Sequence, residues 1–344
     1  MAEALYRKYR PSKFSEVVGQ EHIVPLLEAA VKSGKTAHAY LFTGSRGTGK
    51  TSVARILARA LGCEPSDLVE IDAASNTGVD DIRELQEGVR TMPFLSPVKV
   101  YIIDEVHMLS KNAFNALLKT LEEPPAHVVF ILATTEVHKV PETIKSRCEI
   151  HHFKSPTIEI LTKVLTKIAK SEDLKLGRGV AELLAVLGDG SFRDATGLLQ
   201  KVANLSVDKE ISLEEAERVT SAPSNKIVWT IIEAVSNHNL DNGLKAVREA
   251  GAAGKDMRTL LKLLIREVRV TMLYGFSPNL QKELAEELGE EVIAKIKPLV
   301  ASKELLALWP KVLREFLDAY LHSLTSAVPE LPLELALINL LTKE

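Results

Sequence analysis

The stretch from Gly44 to Thr51, GSRGTGKT, combines three glycines, a lysine and three hydroxyl side chains; it follows the apolar run AYLFT and precedes the amphipathic stretch SVARILARAL. Glycines let successive backbone N–H groups turn inward around phosphate oxygens, and the positive end of a following helix strengthens that cradle. Lys50 can reach the terminal phosphates and the Thr51 hydroxyl can hold Mg²⁺. The spacing predicts a nucleoside triphosphate site formed by Gly44, Ser45, Arg46, Gly47, Thr48, Gly49, Lys50, Thr51 and Ser52.

The stretch VKVYIIDEVH places two adjacent carboxylates at the end of an apolar run. Asp104 would join Thr51 as a metal ligand for Mg²⁺, and Glu105 could orient and deprotonate a water. The next apolar run, FILATT, ends in Thr134 and Thr135. Either hydroxyl could hold that water against the terminal phosphate, and the spacing does not choose between them. With the phosphate loop, these residues predict hydrolysis of the bound nucleotide.

The stretch ETIKSRCEIHHF groups Arg147, Cys148, His151 and His152 within six positions. On a strand, His151 and His152 point to opposite faces, and Cys148 and His152 lie about 13 Å apart at about 3.3 Å per residue. Zinc bonds of about 2.0 to 2.3 Å cannot span that distance, and the same spacing leaves the thiol without an adjacent base. The interpretation therefore favours strand packing for Cys148, His151 and His152. Arg147 remains as the candidate functional residue of this stretch, because its guanidinium suits phosphate oxygens.

Five apolar runs separated by amphipathic stretches predict a mostly parallel sheet covered by helices on both faces. The predicted strands are 39–44, 67–72, 98–104, 128–135 and 149–153. From Ser155 onward the strand signals stop, and short helices follow, the last opened by Ser212 and Glu215 at capping-box spacing. We expect three domains: a nucleotide-binding domain at 1–155, a helical lid domain at 156–221 and a helical oligomerisation domain at 222–344.

The composition of the 344 residues, 46% hydrophobic and 26% charged, is typical of a globular protein with real cores. No apolar stretch is long enough to span a membrane and no signal peptide is recognisable, so a cytoplasmic protein without a membrane partner is expected. The net charge of −3 excludes a global basic field that would attract nucleic acid. Residues 222–344 contain 15 Lys and Arg against 16 Asp and Glu, which favours helix packing over DNA reading.

Along the chain, the order of motifs is YRKYRP, VVGQEH, GSRGTGKT, EIDAASN, VYIIDEVHMLS, FNALLKTLEEPP, FILATT, SRC and GSFRDA. In these motifs the sequence resembles the AAA+ clamp-loader ATPases, and among them most closely the gamma/tau subunits of bacterial DNA polymerase III. The resemblance implies a P-loop AAA+ domain followed by a helical lid and a helical collar. It also implies an ATPase that assembles with copies of itself and with delta and delta-prime type subunits, opens a sliding clamp and loads it on primed DNA during replication.

The resemblance also implies roles for individual residues. Arg10, Pro11, Val17 and Val18 would surround the adenine, and Arg193 in GSFRDA would touch the phosphates from the lid. Arg147 in SRC would act on ATP bound by a neighbouring subunit. The catalytic set is therefore expected to comprise Lys50, Glu105, Thr134 or Thr135, Arg147 and Arg193.

The chain departs from the gamma/tau pattern in one region. These proteins usually carry a four-cysteine zinc module before DAAS, whereas LGCEPSDLVEIDAAS contains Cys63 alone. Structural zinc needs four ligands, so zinc is not expected, and any partner contact made by that module is in doubt. The sequence also ends after the third expected domain, without the segments by which long gamma/tau forms bind helicase and polymerase.

Of all the predicted site residues, the DNA contacts have the least specific sequence signal. Basic residues on inner helices should meet DNA phosphates, and Arg83 is the preferred candidate, with Asn76 and Lys111 weaker. Two other functions fit parts of the sequence: an AAA+ DNA motor for branch migration or helicase loading, and a non-catalytic structural subunit of a clamp loader. The charge-balanced tail does not favour the first, and the intact Lys50 and Glu105 do not favour the second.

Overall fold

The computed structural model describes residues 3–75, 79–206, 209–288 and 290–342, apart from the side chains of residues 79–83, 286–288 and 291. The described chain divides into two compact units. The first contains the residues up to Leu174 together with Ala181–Gln200, and the second contains Lys175–Val180 together with the chain from Lys201 onward. The finer division into three domains, at 155 and at 221, stays a prediction.

The secondary structure consists of short strands and many helices. The strands are β1 (Ala39–Thr43), β2 (Leu68–Asp72), β3 (Lys99–Asp104), β4 (Val128–Thr134), β5 (Glu149–His152), β6 (Lys175–Leu176) and β7 (Glu210–Ile211). The helices are α1 (Leu5–Lys8), α2 (Val24–Ser33), α3 (Lys50–Ala60), α4 (Val79–Val89), α5 (Lys111–Glu122), α6 (Glu142–Lys145), α7 (Ile158–Ser171), α8 (Val180–Leu187), α9 (Phe192–Leu205), α10 (Leu213–Thr220), α11 (Asn225–Ser236), α12 (Leu240–Ala252), α13 (Met257–Phe276), α14 (Leu280–Leu288), α15 (Glu290–Leu299), α16 (Lys303–His322) and α17 (Leu331–Thr342).

The first unit is built on a five-stranded sheet in the order β2-β3-β4-β1-β5. Every neighbouring pair is parallel, so each strand must be joined to its neighbour by a crossover connection. In the register, Ile103 of β3 lies beside Leu132 of β4, and Thr43 of β1 lies beside Thr134 of β4. The predicted α/β class and all five predicted strands are confirmed.

The two faces of this sheet are covered by different helices because side chains alternate along each strand. Leu41, Ile103 and Leu132 pack in one cluster with residues of α4 and α5, whereas Phe42, Ile102 and Ile131 pack in a second cluster with residues of α2 and α3. All residues of β1 and β4 are buried. Each aliphatic side chain removed from water in this way contributes about 1.5–3 kcal/mol, so the central strands are the most firmly held part of the unit.

The histidines of β5 lie on opposite faces, as alternation requires. His151 is buried between the rings of Tyr40 and Phe42, at centroid distances of 6.0 and 5.8 Å, and burial lowers the pKa of its imidazole. His152 is exposed, with Nδ1 2.6 Å from Thr43 Oγ1. Burial raises the pKa of the Cys148 thiol to about 12, so this thiol stays protonated near neutral pH and is a poor nucleophile.

The carboxylate of Asp67 fixes the loop that joins α4 to β3. Asp67 is buried and accepts hydrogen bonds from the backbone N–H groups of Phe94, Leu95 and Ser96 at 2.6, 2.9 and 2.9 Å. These bonds, the one from Phe94 foremost, lower the pKa of the Asp67 carboxyl from 3.8 to about 2. The loop is therefore held from its backbone, although the Phe94 side chain is 82% exposed.

Replacing Asp67 by Asn should lower the melting temperature by a few degrees at pH 7, because the amide cannot accept all three bonds as a carboxylate does. Since folding lowers this pKa from 3.8 to about 2, the ionised carboxylate stabilises the fold above about pH 4, and that contribution disappears as the pH falls towards 2. The stability difference between the two proteins, measured by urea denaturation, should shrink over that interval. A difference that is constant from pH 7 to pH 3 would contradict the assignment.

The second unit is almost entirely helical. Within it, α11 packs against α12, α13 against α16, and α16 against α17. Trp309 of α16 is fully buried, and its Nε1 donates a hydrogen bond of 2.8 Å to the carbonyl of Leu299. The predicted capping box of Ser212 and Glu215 is present at the start of α10.

The expectation that strands stop at Ser155 is wrong in one detail. β6 and β7 form a parallel pair of two residues each in the second unit. Strands of this length show no alternation of apolar and polar residues, so hydrophobic periodicity could not reveal them. In the described part of the chain, none of the helices combines the length and apolar character needed to cross a bilayer.

Candidate nucleotide site

The phosphate loop connects the carboxyl end of β1 to the first residue of α3. Three glycines adopt positive φ angles: Gly44 at 141°, Gly47 at 73° and Gly49 at 101°. Residues other than glycine rarely adopt such angles. A Cβ added at Gly47 would lie 2.0 Å from Ser191 Oγ, and one at Gly44 would lie 2.3 Å from the Phe153 carbonyl oxygen. Glycine is thus required at both positions by backbone conformation and by close neighbours.

Lys50 turns its side chain back into this loop. Its Nζ donates to the carbonyl oxygens of Gly44 and Ser45 at 2.7 and 2.9 Å. The residue is only 5% exposed, and burial lowers the pKa of its ammonium group, against the opposing effect of the Glu105 and Asp104 carboxylates. A buried cation with carbonyl partners alone is well placed to bind a phosphate in exchange.

Thr51 and Asp104 meet across the sheet edge. The Thr51 hydroxyl donates to Asp104 Oδ2 at 2.7 Å, and Asp104 Oδ1 accepts from the Glu105 N–H at 3.0 Å. One hydroxyl and one carboxylate fit Mg²⁺, which binds few protein oxygens and completes its shell with phosphates and water. Of the described residues, none form a group of three or more His, Cys, Asp or Glu suited to a metal ion. Cys63 is buried, with its Sγ 3.5 Å from the Glu64 carbonyl oxygen.

Glu105, which follows β3, lies beside the two predicted threonines at the end of β4. The Thr135 hydroxyl and N–H donate to Glu105 Oε2 at 2.9 and 3.3 Å. The Thr134 hydroxyl is instead fully buried, 2.9 Å from Nδ1 of His107. Glu105 itself has φ 48° and ψ 45°, an uncommon left-handed backbone for this residue type.

A cavity of about 540 Å³ adjoins the phosphate loop, and its volume is within the size range of small-molecule sites. It is lined by residues of the amino-terminal segment, the phosphate loop, α3, α7 and α9, including the four predicted adenine contacts: Arg10, Pro11, Val17 and Val18. The side chain of Gln20 positions this segment, because its Nε2 donates to the Lys154 carbonyl at 2.8 Å and its Oε1 accepts from the Lys154 N–H at 3.1 Å.

Arg193 lines both the large cavity and a smaller one that contains Lys50, Thr51, Asp104 and Glu105. It lies in the first turn of α9, where Ser191 Oγ accepts a hydrogen bond from the Asp194 N–H at 3.1 Å and so caps the helix. The Phe192 N–H also donates to the Gly47 carbonyl at 3.0 Å. The start of α9 is therefore attached directly to the phosphate loop.

Arg147 is not part of this group of residues. It precedes β5, whereas the phosphate loop follows the carboxyl end of the adjacent parallel strand β1. Five residues of strand at about 3.3 Å each place it roughly 16 Å from that end. Its guanidinium donates to the Thr143 carbonyl and to Glu122 Oε1, both at 2.7 Å, and one third of the side chain stays exposed.

The predicted DNA contacts are incompletely described. Lys111 is exposed at the start of α5. Arg83 belongs to α4, but its side chain lies outside the described part of the chain, as does the whole of Asn76.

Several residues that hold predicted residues or segments in place were not themselves predicted from the sequence. They are Gln20, which anchors the amino-terminal segment, His107, which contacts Thr134, and Glu122, which pairs with Arg147. Two of them, Gln20 in VVGQEH and His107 in DEVHMLS, stand inside motifs already recognised, and that position was the available signal.

The sheet order, with a phosphate loop after β1 and paired carboxylates after β3, defines an AAA+ nucleotide-binding fold. A solved structure of the RuvB Holliday junction branch migration motor of Thermotoga maritima has the same fold, with a TM-score of 0.54 and 22% identity over 66% of this chain and 79% of that one. A family profile described as DNA polymerase III, delta subunit matches residues 19–77 and 65–157.

The sequence relatives identify the family. DNA polymerase III subunit tau of Bacillus subtilis is 41% identical over 88% of this chain and 57% of its own length, and that of Escherichia coli is 40% identical over 80% and 46%. DNA polymerase III subunit gamma of Buchnera aphidicola is 34% identical over 86% of both chains. The chain belongs to the gamma/tau family of DNA polymerase III subunits. It spans about half the length of the two tau subunits.

Replacing Lys50 by Ala should abolish ATP binding, with affinity at least about 100-fold lower, because a charged hydrogen-bonding partner of the phosphates is lost from a buried position. Titration of a fluorescent ATP analogue measures this directly. Lys35→Ala, at an exposed lysine beyond the end of α2, is the matched control and should bind as the wild type does. Normal binding by the Lys50 variant would refute the phosphate-site assignment.

Proposed function

We propose that the chain is an ATP-hydrolysing clamp-loader subunit, which opens a ring-shaped sliding clamp and places it on primed DNA during replication. The observation that carries the proposal is the complete set of Lys50, Thr51, Asp104 and Glu105 around one small cavity in a member of the gamma/tau family. A purely structural subunit would not need a buried lysine, a carboxylate beside a hydroxyl and a second carboxylate in one place.

The proposed chemistry follows from these positions. The phosphate loop and Lys50 bind the triphosphate, and Arg193 approaches it from the start of α9. Thr51 and Asp104 would hold Mg²⁺, which when bound would neutralise charge on the phosphates. Glu105 accepts a proton from the attacking water, and this water must lie within about 3 Å of its carboxylate.

Of the two threonines, we assign the role beside the water to Thr135. Its hydroxyl is only partly buried and already contacts the Glu105 carboxylate. Thr134 accepts a hydrogen bond from the Glu136 N–H and contacts His107, so its hydroxyl is engaged within the protein. Thr135 is therefore the hydroxyl that can exchange its carboxylate partner for a γ-phosphate.

The position of Arg147 supports action on a neighbouring subunit. Because it stands at the opposite end of the strands from the chain's own phosphate loop, it cannot reach ATP bound there. The bonds to Thr143 and Glu122 hold the guanidinium in one direction while leaving part of it exposed. A fixed, permanently charged fork of this kind can stabilise charge that develops on a partner's phosphate.

Assembly with other subunits is supported by the second unit. Leu317, Leu321, Leu324, Val328, Leu335 and Ile338 are apolar side chains of α16, α17 and the segment between them, and each is at least 37% exposed. A group of exposed apolar residues on this scale is typical of a protein contact. We propose that this unit joins copies of the chain and related delta and delta-prime type subunits, and that Arg83, Asn76 and Lys111 contact DNA phosphates in the assembly.

ATP hydrolysis by the assembled protein should rise at least about tenfold when a sliding clamp and primed DNA are present together, because both complete the transition-state arrangement. The measurement is steady-state phosphate release with each component alone and with both. Stimulation by branched or duplex DNA in the absence of a clamp would overturn the proposal and favour a DNA motor.

Mixing two inactive variants tests the action of Arg147 on a partner. Arg147→Ala should still bind ATP, and its hydrolysis in the assembly should fall at least about 100-fold, as expected for loss of such an arginine. Adding Lys50→Ala, which cannot bind ATP but keeps Arg147, should restore part of the activity. The double variant Lys50→Ala, Arg147→Ala should restore none. Absence of any rescue by Lys50→Ala, with both variants folded and assembled, would contradict action across subunits.

A further inference from the structure

The imidazole of His107 lies between the ends of β3 and β4. Its side chain is only 6% exposed. Nδ1 is 2.9 Å from Thr134 Oγ1 and 3.4 Å from Glu105 Oε2, and Nε2 is 3.5 Å from Glu136 Oε1. One ring therefore contacts the proposed general base, a buried threonine and a second carboxylate.

Either tautomer of this ring connects the turn after β3 to the end of β4. If Nδ1 is protonated, it donates to the Thr134 oxygen and faces the Glu105 carboxylate. If Nε2 is protonated, the Thr134 hydroxyl donates to Nδ1 and the Nε2 proton faces Glu136. In both cases Thr134 also accepts from the Glu136 N–H at 3.0 Å, so the ring is attached to a rigid strand end.

The turn that needs this attachment is the one that contains Glu105. A left-handed conformation is unfavourable at a residue other than glycine and persists only where neighbouring contacts impose it. Glu105 has this conformation, and its carbonyl accepts from the Met108 N–H at 2.9 Å in the short turn that contains His107. From that turn the ring of His107 contacts Thr134 at the end of β4, and Val106 packs in the same apolar cluster as Leu132 of β4. The His107 ring is therefore the polar attachment of this turn to β4, beside the apolar packing of Val106.

Binding of ATP gives this contact a specific task. In the structure Glu105 Oε2 accepts a hydrogen bond from the Thr135 hydroxyl. In the proposed mechanism this hydroxyl turns towards the γ-phosphate when ATP binds. Once that bond is exchanged, the carboxylate must stay aimed at the water, and the backbone conformation of Glu105 determines its direction. The contact of His107 with Thr134 is independent of Thr135, so it survives the exchange.

We propose that His107 is a positioning residue for ATP hydrolysis, which keeps the left-handed turn at Glu105 attached to β4 so that the carboxylate remains directed at the attacking water. The inference rests on the proposed function. His107 itself does not contact the nucleotide and should affect hydrolysis without affecting nucleotide affinity.

The test compares two substitutions in the full-length assembled protein. His107→Leu keeps much of the volume and removes the hydrogen bonds, and its kcat for ATP should fall about tenfold or more for a misdirected base, while the dissociation constant of a slowly hydrolysed analogue stays within about twofold. His107→Asn can place an amide atom near the position of Nδ1 and should regain most of the lost rate. His127→Leu, at a half-buried histidine that contacts the carbonyls of Val89 and Thr91, should leave kcat unchanged.

A double-mutant cycle separates positioning from general damage. In a Glu105→Gln background, measured under single-turnover conditions, His107→Leu should cause no further loss, because both changes act through the same carboxylate. Equal losses in both backgrounds, an unchanged kcat in His107→Leu, or failure of Asn to exceed Leu would each overturn the proposal.

Amide hydrogen exchange gives a measurement that does not depend on hydrolysis. If the ring attaches the turn to β4, the N–H of Glu136, which donates to Thr134, should exchange faster in His107→Leu than in the wild type, also in the absence of nucleotide. Unchanged exchange at Glu136 would overturn the inference even if the wild type hydrolyses ATP as proposed. If the wild type failed to hydrolyse ATP but exchange responded, the proposed function would fail and the attachment would stand.

Discussion

The parallel pairing of β1 with β4, and of β4 with β3, is the constraint on which the rest of the site depends. Because all three strands run in one direction, their carboxyl ends meet at one edge, and the chain leaves each strand with a functional segment: the phosphate loop, the paired carboxylates and the two threonines. β4 lies between the other two, so its threonines stand between loop and carboxylates. The burial of β1 and β4 on both faces holds these three exits at fixed spacing.

The same pairing separates Arg147 from its own chain's site. A residue that precedes a strand of a parallel sheet is one strand length away from any residue that follows a neighbouring strand. α5 starts after β3 and returns along the sheet, which brings Glu122 at its end to Arg147. A single topology thus places the phosphate loop with the paired carboxylates at one end of the strands and Arg147 at the other.

Local patterns predicted the strands and the phosphate loop because their causes are local. The apolar run at 128–134 is long enough to demand burial on both faces, and glycines at 44, 47 and 49 answer backbone requirements within a few residues. The capping box of Ser212 and Glu215 could be recognised for the same reason. These features need no knowledge of what lies elsewhere in the chain.

Contacts between distant segments that belong to no joint motif could not be predicted. Gln20 contacts Lys154, 134 positions away, and Asp67 accepts a hydrogen bond from the backbone of Phe94, 27 positions away. The local sequence around each of these residues does not indicate its partner. The choice between Thr134 and Thr135 was open for a related reason. The two residues are adjacent in the sequence, and what distinguishes them is their contacts with His107 and Glu105, which follow the neighbouring strand β3. The two-residue strands β6 and β7 had no pattern to detect.

The contact of Gly47 with Ser191 has a mechanical consequence. There is no room for even a methyl group between these two residues, and the Phe192 N–H donates a hydrogen bond to the Gly47 carbonyl. The phosphate loop is therefore in tight contact with the start of α9. The close approach and the hydrogen bond couple the conformation of the phosphate loop at Gly47 to the position of the first turn of α9.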